Sequence, residues 1–221
     1  MARRLLVLGL AGPLLLAGAT LGEAGPGLDP RILRLLESVS EERLSRIVKT
    51  LEGFETRHTL SATDSATRGI GAARQWLLEE MRRSSARLEV AFDTYQVPAQ
   101  GERITRDVDL RNVMAVLPGR TARRLYVSAH YDSLARPVRP GDTPSATGGF
   151  DWSATDGPAP GANDDGSGTA LAVELARVFA ESGLELEATL VFIAFAGEEQ
   201  GLVGAKLPRR RPPRSSRSMR C

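Results

Sequence analysis

Residues 160–195 read in order as a glycine-spaced acidic loop, a helix and a continuous apolar strand. That succession limits what the chain can fold into. The loop is Pro160-Gly-Ala-Asn-Asp-Asp-Gly-Ser-Gly-Thr169. Thr169 to Ser182 follows with Leu171, Val173, Leu175, Ala176 and Phe179 at helical spacing, and Gly183 ends it. Leu190-Val-Phe-Ile-Ala-Phe195 is apolar throughout, which suits a strand covered on both faces inside a parallel sheet. Another short apolar run, Leu125-Tyr-Val-Ser-Ala129, precedes the loop. Strand, loop, helix and strand together predict an α/β fold: a mixed, largely parallel sheet with crossover helices on both faces. In that class ligands collect beyond the carboxyl ends of strands. His130 and Asp132 end one predicted strand, and Glu198 and Glu199 follow the other.

The upstream half supplies further elements. Arg31 to Glu37 and Glu41 to Leu51 are short amphipathic helices, the second with Ser40 as N-cap and acids in its first turn. Ser65 to Arg83 is predicted as a longer helix, with Ile70, Ala73, Trp76, Leu77 and Met81 on one side. Leu88 to Val97 alternates as a half-buried strand does, and Arg111 to Pro118 is a further strand. Residues 134–160 are rich in Gly, Pro, Ser, Thr and Asp without periodicity, and such long loops inside a domain are usually functional or disordered.

Charge is unevenly placed. Of 29 Lys and Arg, nine lie in residues 1–4 and 206–221, leaving 20 against 27 acids in the rest. The body is therefore acidic and has no basic, aromatic-interleaved stripe, so nucleic acid is excluded as a partner. The single cysteine is Cys221. No disulfide framework or thiolate metal site can form, and a transition metal would need His, Asp and Glu. Arg3 and Arg4, the apolar stretch Leu5 to Leu16 and the small residues Ala17-Gly-Ala19 read as a signal peptide over residues 1–24. The apolar run is too short for stable membrane insertion. The expectation is a secreted or periplasmic protein, with residues 25–205 as its folded part.

Each polar cluster has a plain structural reading as well as a chemical one. His130-Tyr-Asp132 could be a packed histidine beside a hydrogen-bonded carboxylate. Asn163-Asp-Asp-Gly-Ser-Gly168 could be a helix-capping turn, and Glu198-Glu199 a solvated one. Together they suit a metal site. Asp132 is spaced to orient the His130 ring, and Asp164 has two oxygens to share between cations. Of the adjacent glutamates, one can face metal while the other faces water as a general base.

Ser128-Ala-His130-Tyr-Asp132-Ser, Pro160-Gly-Ala-Asn-Asp164-Asp-Gly-Ser-Gly and Ala194-Phe-Ala-Gly-Glu198-Glu199-Gln-Gly-Leu-Val-Gly resemble the motifs of the M28 family of co-catalytic zinc aminopeptidases in order and spacing. Asn112 to Gly119 is similar to the family strand before the first motif, and the likeness covers residues 49–205. The resemblance implies two zinc ions, one bound by His130, the other by Glu199, and both bridged by Asp164. It makes Glu198 the catalytic base and Asp132 the residue orienting His130. It also implies a cis peptide between Asp164 and Asp165, peptide or protein substrates, and hydrolysis of their N-terminal residues. Related scaffolds carry carboxypeptidase and glutaminyl cyclase chemistry, and a non-catalytic binding relative is a further alternative. The family uses two more ligands, an aspartate and a histidine, yet residues 206–221 contain no Asp, Glu or His. That basic, aperiodic tail is expected to be disordered or aberrant, the chain truncated or frame-shifted after about residue 205, and its activity impaired. His58, the only other histidine, has no spacing that brings it to the site. Phe150 and Trp152 are candidates for a pocket wall or a packed surface pair.

Overall fold

The computed structural model describes residues 27–135 and 151–207. The expected signal peptide, the tail beyond Leu207 and Phe150 lie outside the described residues. The chain runs α1 (Pro30–Glu37), α2 (Glu41–Gly53), α3 (Gly69–Ser84), β1 (Glu89–Val97), β2 (Val108–Leu117), β3 (Arg124–His130), α4 (Ser167–Glu181), β4 (Thr189–Phe195) and the single turn α5 (Val203–Lys206). Ser40 caps α2 as expected, its hydroxyl accepting the Arg43 N–H at 3.2 Å. Helix α3 starts at Gly69, later than the predicted Ser65. The Ser65 hydroxyl folds residues 65–68 into a turn by accepting the Thr67 and Arg68 N–H groups. The helix is then entered through a positive φ of 82° that Gly69 can adopt without strain.

The strands form one mixed sheet in the order β1-β2-β4-β3. The apolar strand β4 is internal, as its sequence implied, with β2 antiparallel on one side and β3 parallel on the other. Among the described residues parallel pairing is confined to β3 and β4, less than the largely parallel sheet expected. The reason is that β1 and β2 pair antiparallel from Glu89↔Val116 to Val97↔Val108, so only the link through α4 is a crossover. Side chains alternate along β4. Leu190, Phe192 and Ala194 enter the main core, formed with α2, α3 and α4. Val191, Ile193 and Phe195 form a smaller cluster with Val116, Met114 and Ala205. The three long helices thus share one face, and among the described residues the second face meets only α5. No described helix is long and apolar enough to cross a membrane.

A buried charge joins the helices. Glu174 of α4 is fully buried and accepts the Ser40 N–H and Arg43 Nε, each at 2.9 Å, and Arg177 Nε at 3.1 Å. Burial alone would raise its pKa, but these partners hold it below the ordinary glutamate value. Removing Glu174 leaves the Ser40 N–H without its acceptor, while Arg43 and Arg177 keep Glu80 and Glu181 as partners. Glu174→Ala is therefore expected to lower stability by about 1–3 kcal/mol, read from urea unfolding at neutral pH.

Candidate metal centre

The two parallel strands end side by side, and this places the site. His130 pairs with Phe195, and the Tyr131 N–H continues the ladder to Phe195 O at 2.9 Å. The acidic loop returns to the same end before α4 begins. Ala162–Gly166 forms one wide turn with non-helical dihedrals at Asp164 and Asp165, and the peptide between those two residues is cis, as the resemblance implies.

Neighbouring aspartates divide the work. Asp164 turns outward to His130, its Oδ1 3.1 Å from Nε2. Asp165 ties the loop down: its carboxylate accepts the His130 N–H at 3.1 Å and the Gly168 N–H at 2.9 Å. A Cβ at Gly168 would lie 2.2 Å from Asp165 Oδ1, so a side chain there would push the carboxylate off the N–H groups it accepts. Thr169 at the start of α4 donates its hydroxyl to His130 O at 2.7 Å.

Asp132, fully buried, organises the third motif. Its carboxylate accepts the Glu198 N–H at 3.2 Å and the Glu199 N–H at 3.1 Å, with the Thr59 hydroxyl at 3.4 Å. Behind this turn Asn112 accepts the Ala196 N–H at 3.0 Å and donates to Gly204 O at 3.1 Å. Nδ1 of His130 lies 3.2 Å from Asp132 O and 3.6 Å from Asp132 Oδ1. A carbonyl can only accept, so Nδ1 carries a proton and Nε2 is the ring atom that faces the loop. Glu198 Oε2 is 3.6 Å from Nε2. The structure therefore brings His130, Asp132, Asp164, Glu198 and Glu199 into one cluster.

The cluster holds one imidazole against four carboxylates, and its electrostatics reflect this. Burial, with Asp132, Asp164 and Glu198 adding to it, pushes Glu199 up to about 7, against His130. For His130, burial opposes the charge, but Asp132, Glu198 and Asp165 outweigh it and raise the ring to about 9. A cation placed here would relieve both. In kind the donors fit zinc, which takes imidazole and carboxylate ligands. In number they fall short: among the described residues no group of three or more His, Cys, Asp or Glu side chains has the geometry to hold a metal ion.

Other expectations resolve as follows. His58 is buried, with Nδ1 accepting the Leu60 N–H at 3.0 Å, and among the described residues no contact joins it to His130, Asp164 or Glu199. Trp152 is covered by Arg103, whose guanidinium lies 4.3 Å from the ring centroid. Arg103 in turn lines a cavity of about 750 Å³ with Gln100, Ile104, Gln200, Val203 and Leu207, beside the third motif. Three residues that hold the site were not singled out from sequence. Asp165 was hidden by its neighbour, Thr169 read only as the helix start, and Arg57 lay in the polar segment that holds His58.

His58 gives a pH dependence. Burial lowers its pKa, partly offset by Asp132, Asp156 and Asp151 and reinforced by Arg106. The unfolded chain then binds the proton more readily than the folded one. This contribution to stability is complete above the unfolded value of about 6.5 and is lost as pH falls below it. Among the described residues its Nε2–H also has no partner. His58→Asn, which can still accept the Leu60 N–H, is expected to flatten the loss of stability on acidification relative to wild type, measured by melting temperature across pH 7 to pH 5 (about the range in which histidine titrates).

Residues 112–218 match the model of Peptidase family M28. The chain belongs to this family. The match runs past Ala205 into the basic tail, beyond the end of the likeness drawn from the motifs. Among curated relatives, a probable zinc metalloprotease of Pyricularia oryzae is 45% identical over 80% of this chain and 33% of its own length. A probable leucine aminopeptidase of Arthroderma otae is 30% identical over 86% of this chain and 46% of its own length. The chain thus spans less than half the length of these relatives. LapB from Legionella pneumophila shares the fold, with a TM-score of 0.55, 24% identity and coverage of 80% of this chain and 40% of that one. A glutaminyl cyclase of Porphyromonas gingivalis does so with a TM-score of 0.53, 22% identity and coverage of 72% and 48%.

Proposed function

We propose that this M28 chain carries the core of a zinc-dependent metallopeptidase site, and that the reaction it serves is removal of N-terminal residues from peptides. The observation that carries the reading is the convergence of Asp164 and Glu198 on Nε2 of His130, at the carboxyl ends of two parallel strands. His130 and Asp164 would hold one zinc, Asp164 and Glu199 a second. Bound zinc supplies a Lewis acid that polarises the scissile carbonyl and favours loss of a proton from water.

The chain's own residues do the rest. Asp132 fixes the Glu198–Glu199 turn through two backbone N–H groups, and its carbonyl keeps Nδ1 of His130 protonated so that Nε2 is free to bind. Glu198 accepts the proton of the attacking water and returns it to the leaving amine as the C–N bond breaks. The cavity along Gln100–Ile104 and Gln200–Leu207 is the space for the substrate beside that turn. The relative described as a leucine aminopeptidase supports the N-terminal specificity, and the secretory pattern of residues 1–24 supports an exported protein. With two donors from this chain for each ion, where catalytic zinc has three protein ligands, its zinc is held weakly.

The test is hydrolysis of aminoacyl-p-nitroanilides by the purified chain at saturating zinc, with N-acylated substrates in parallel. The expected result is slow release of p-nitroaniline from free-amine substrates, lost on chelation and restored by zinc. Release indifferent to chelation contradicts the metallopeptidase reading, and equal release from N-acylated substrates contradicts the aminopeptidase one.

A further inference from the structure

Arg57 has no solvent exposure, yet among the described residues its guanidinium bonds no carboxylate. Its four side-chain hydrogen bonds among the described residues all go to backbone carbonyls: Nε to Tyr131 O at 2.6 Å, one terminal nitrogen to Leu51 O at 2.9 Å and Pro160 O at 2.7 Å, the other to Gly161 O at 2.9 Å. Those carbonyls belong to the end of α2, the exit of β3 and the start of the acidic loop. The three segments are distant in sequence, and this one side chain reaches all of them. The backbone of Arg57 adds to the same junction. Its N–H donates to Ser133 Oγ at 3.2 Å, and the Ser133 hydroxyl donates to Ala159 O at 2.7 Å.

A buried cation is costly unless its donors are satisfied. Here the planar fork satisfies them with carbonyls, each charge-assisted bond contributing more than a neutral one. Burial lowers the Arg57 pKa to about 10, against Asp132, Glu52 and Asp165, so the group stays charged at neutral pH. The acids that oppose the lowering include Asp132 and Asp165, which hold the third motif and the acidic loop in place. Gly161 is fitted to the arrangement. Its φ is 47°, a Cβ there would lie 2.8 Å from the guanidinium, and its carbonyl also accepts the Gly166 N–H at 3.0 Å.

We infer that Arg57 is the positioning residue of this site: its guanidinium fixes the 160–166 loop, and with it Asp164, against the end of β3 that carries His130. It touches none of the proposed ligands. The loop's placement stands on its own geometry, and only the consequence for zinc rests on the proposed function.

Hydrogen exchange of the metal-free chain separates this role from general stabilisation. Arg57→Ala and Arg57→Lys are compared with Glu174→Ala, which weakens the fold midway along α4, outside the loop. Lysine keeps the charge but cannot span three segments, so it tests the fork alone and serves if the alanine variant does not fold. The expected result is exchange of the 161–168 amides at least about ten-fold faster in both Arg57 variants than in Glu174→Ala, the loss of roughly one charge-assisted bond, with sub-denaturing guanidinium restoring protection in Arg57→Ala. Loop exchange no faster than in Glu174→Ala overturns the inference. Cobalt(II) titration, read by absorbance, is the second arm. Weaker binding by Arg57→Lys than by wild type supports positioning for metal. Failure of the wild type to bind sinks the metal reading while leaving the exchange result to decide the role of Arg57.

Discussion

Asp132→Ala is expected to destabilise the protein by about 3–5 kcal/mol, a large share of the roughly 5–15 kcal/mol that holds a domain folded. The carboxylate is fully buried and receives the N–H groups of both Glu198 and Glu199. Alanine leaves two buried donors without acceptors, each costing about 1–3 kcal/mol. Asp132→Asn separates charge from shape. Its oxygen can accept one of the two N–H groups, but its amide nitrogen then faces the other, so a smaller loss is expected with the turn still displaced. Denaturant unfolding of the two variants checks the order. Equal stability of Asp132→Ala and wild type would show that the turn is not held from this side chain.

Glu198→Gln is expected to lower kcat by about 10²–10⁴ while leaving KM and melting temperature close to wild type. The side chain is one-third exposed and its oxygen is 3.6 Å from the His130 ring, so the amide fits the same space without burying a new polar group. It cannot take a proton from water. Steady-state hydrolysis of leucine-p-nitroanilide in excess zinc gives the comparison. A raised KM with unchanged kcat would make Glu198 a binding group rather than the base.

The parts legible in the sequence are those with a local signal. The continuous apolar run of residues 190–195 announced an internal strand, and the structure places β4 between β2 and β3. Two of the three polar clusters stand at the ends of apolar runs and the third opens a helix, so a carboxyl-end site followed from topology. What stayed hidden was set by backbone geometry. Asp164 and Asp165 are adjacent acids in a string. Only the turn sends one toward Nε2 and the other toward the His130 and Gly168 N–H groups. Arg57 sits in the polar segment Glu55-Thr-Arg-His, and an arginine satisfied by carbonyls from distant segments leaves no spacing to detect. The antiparallel β1–β2 pair was also not foreseen, since each strand taken alone fits either direction.

The account turns on His130, Asp164 and Glu199 being a cation site rather than a hydrogen-bonded packing cluster. Zinc titration of the metal-free chain by calorimetry tests this most directly, with His130→Ala and Asp164→Asn alongside. The account predicts saturable zinc binding by wild type that weakens at least about ten-fold, or roughly 1.4 kcal/mol, in each variant. Binding of equal strength in all three proteins, or none in wild type, would contradict it.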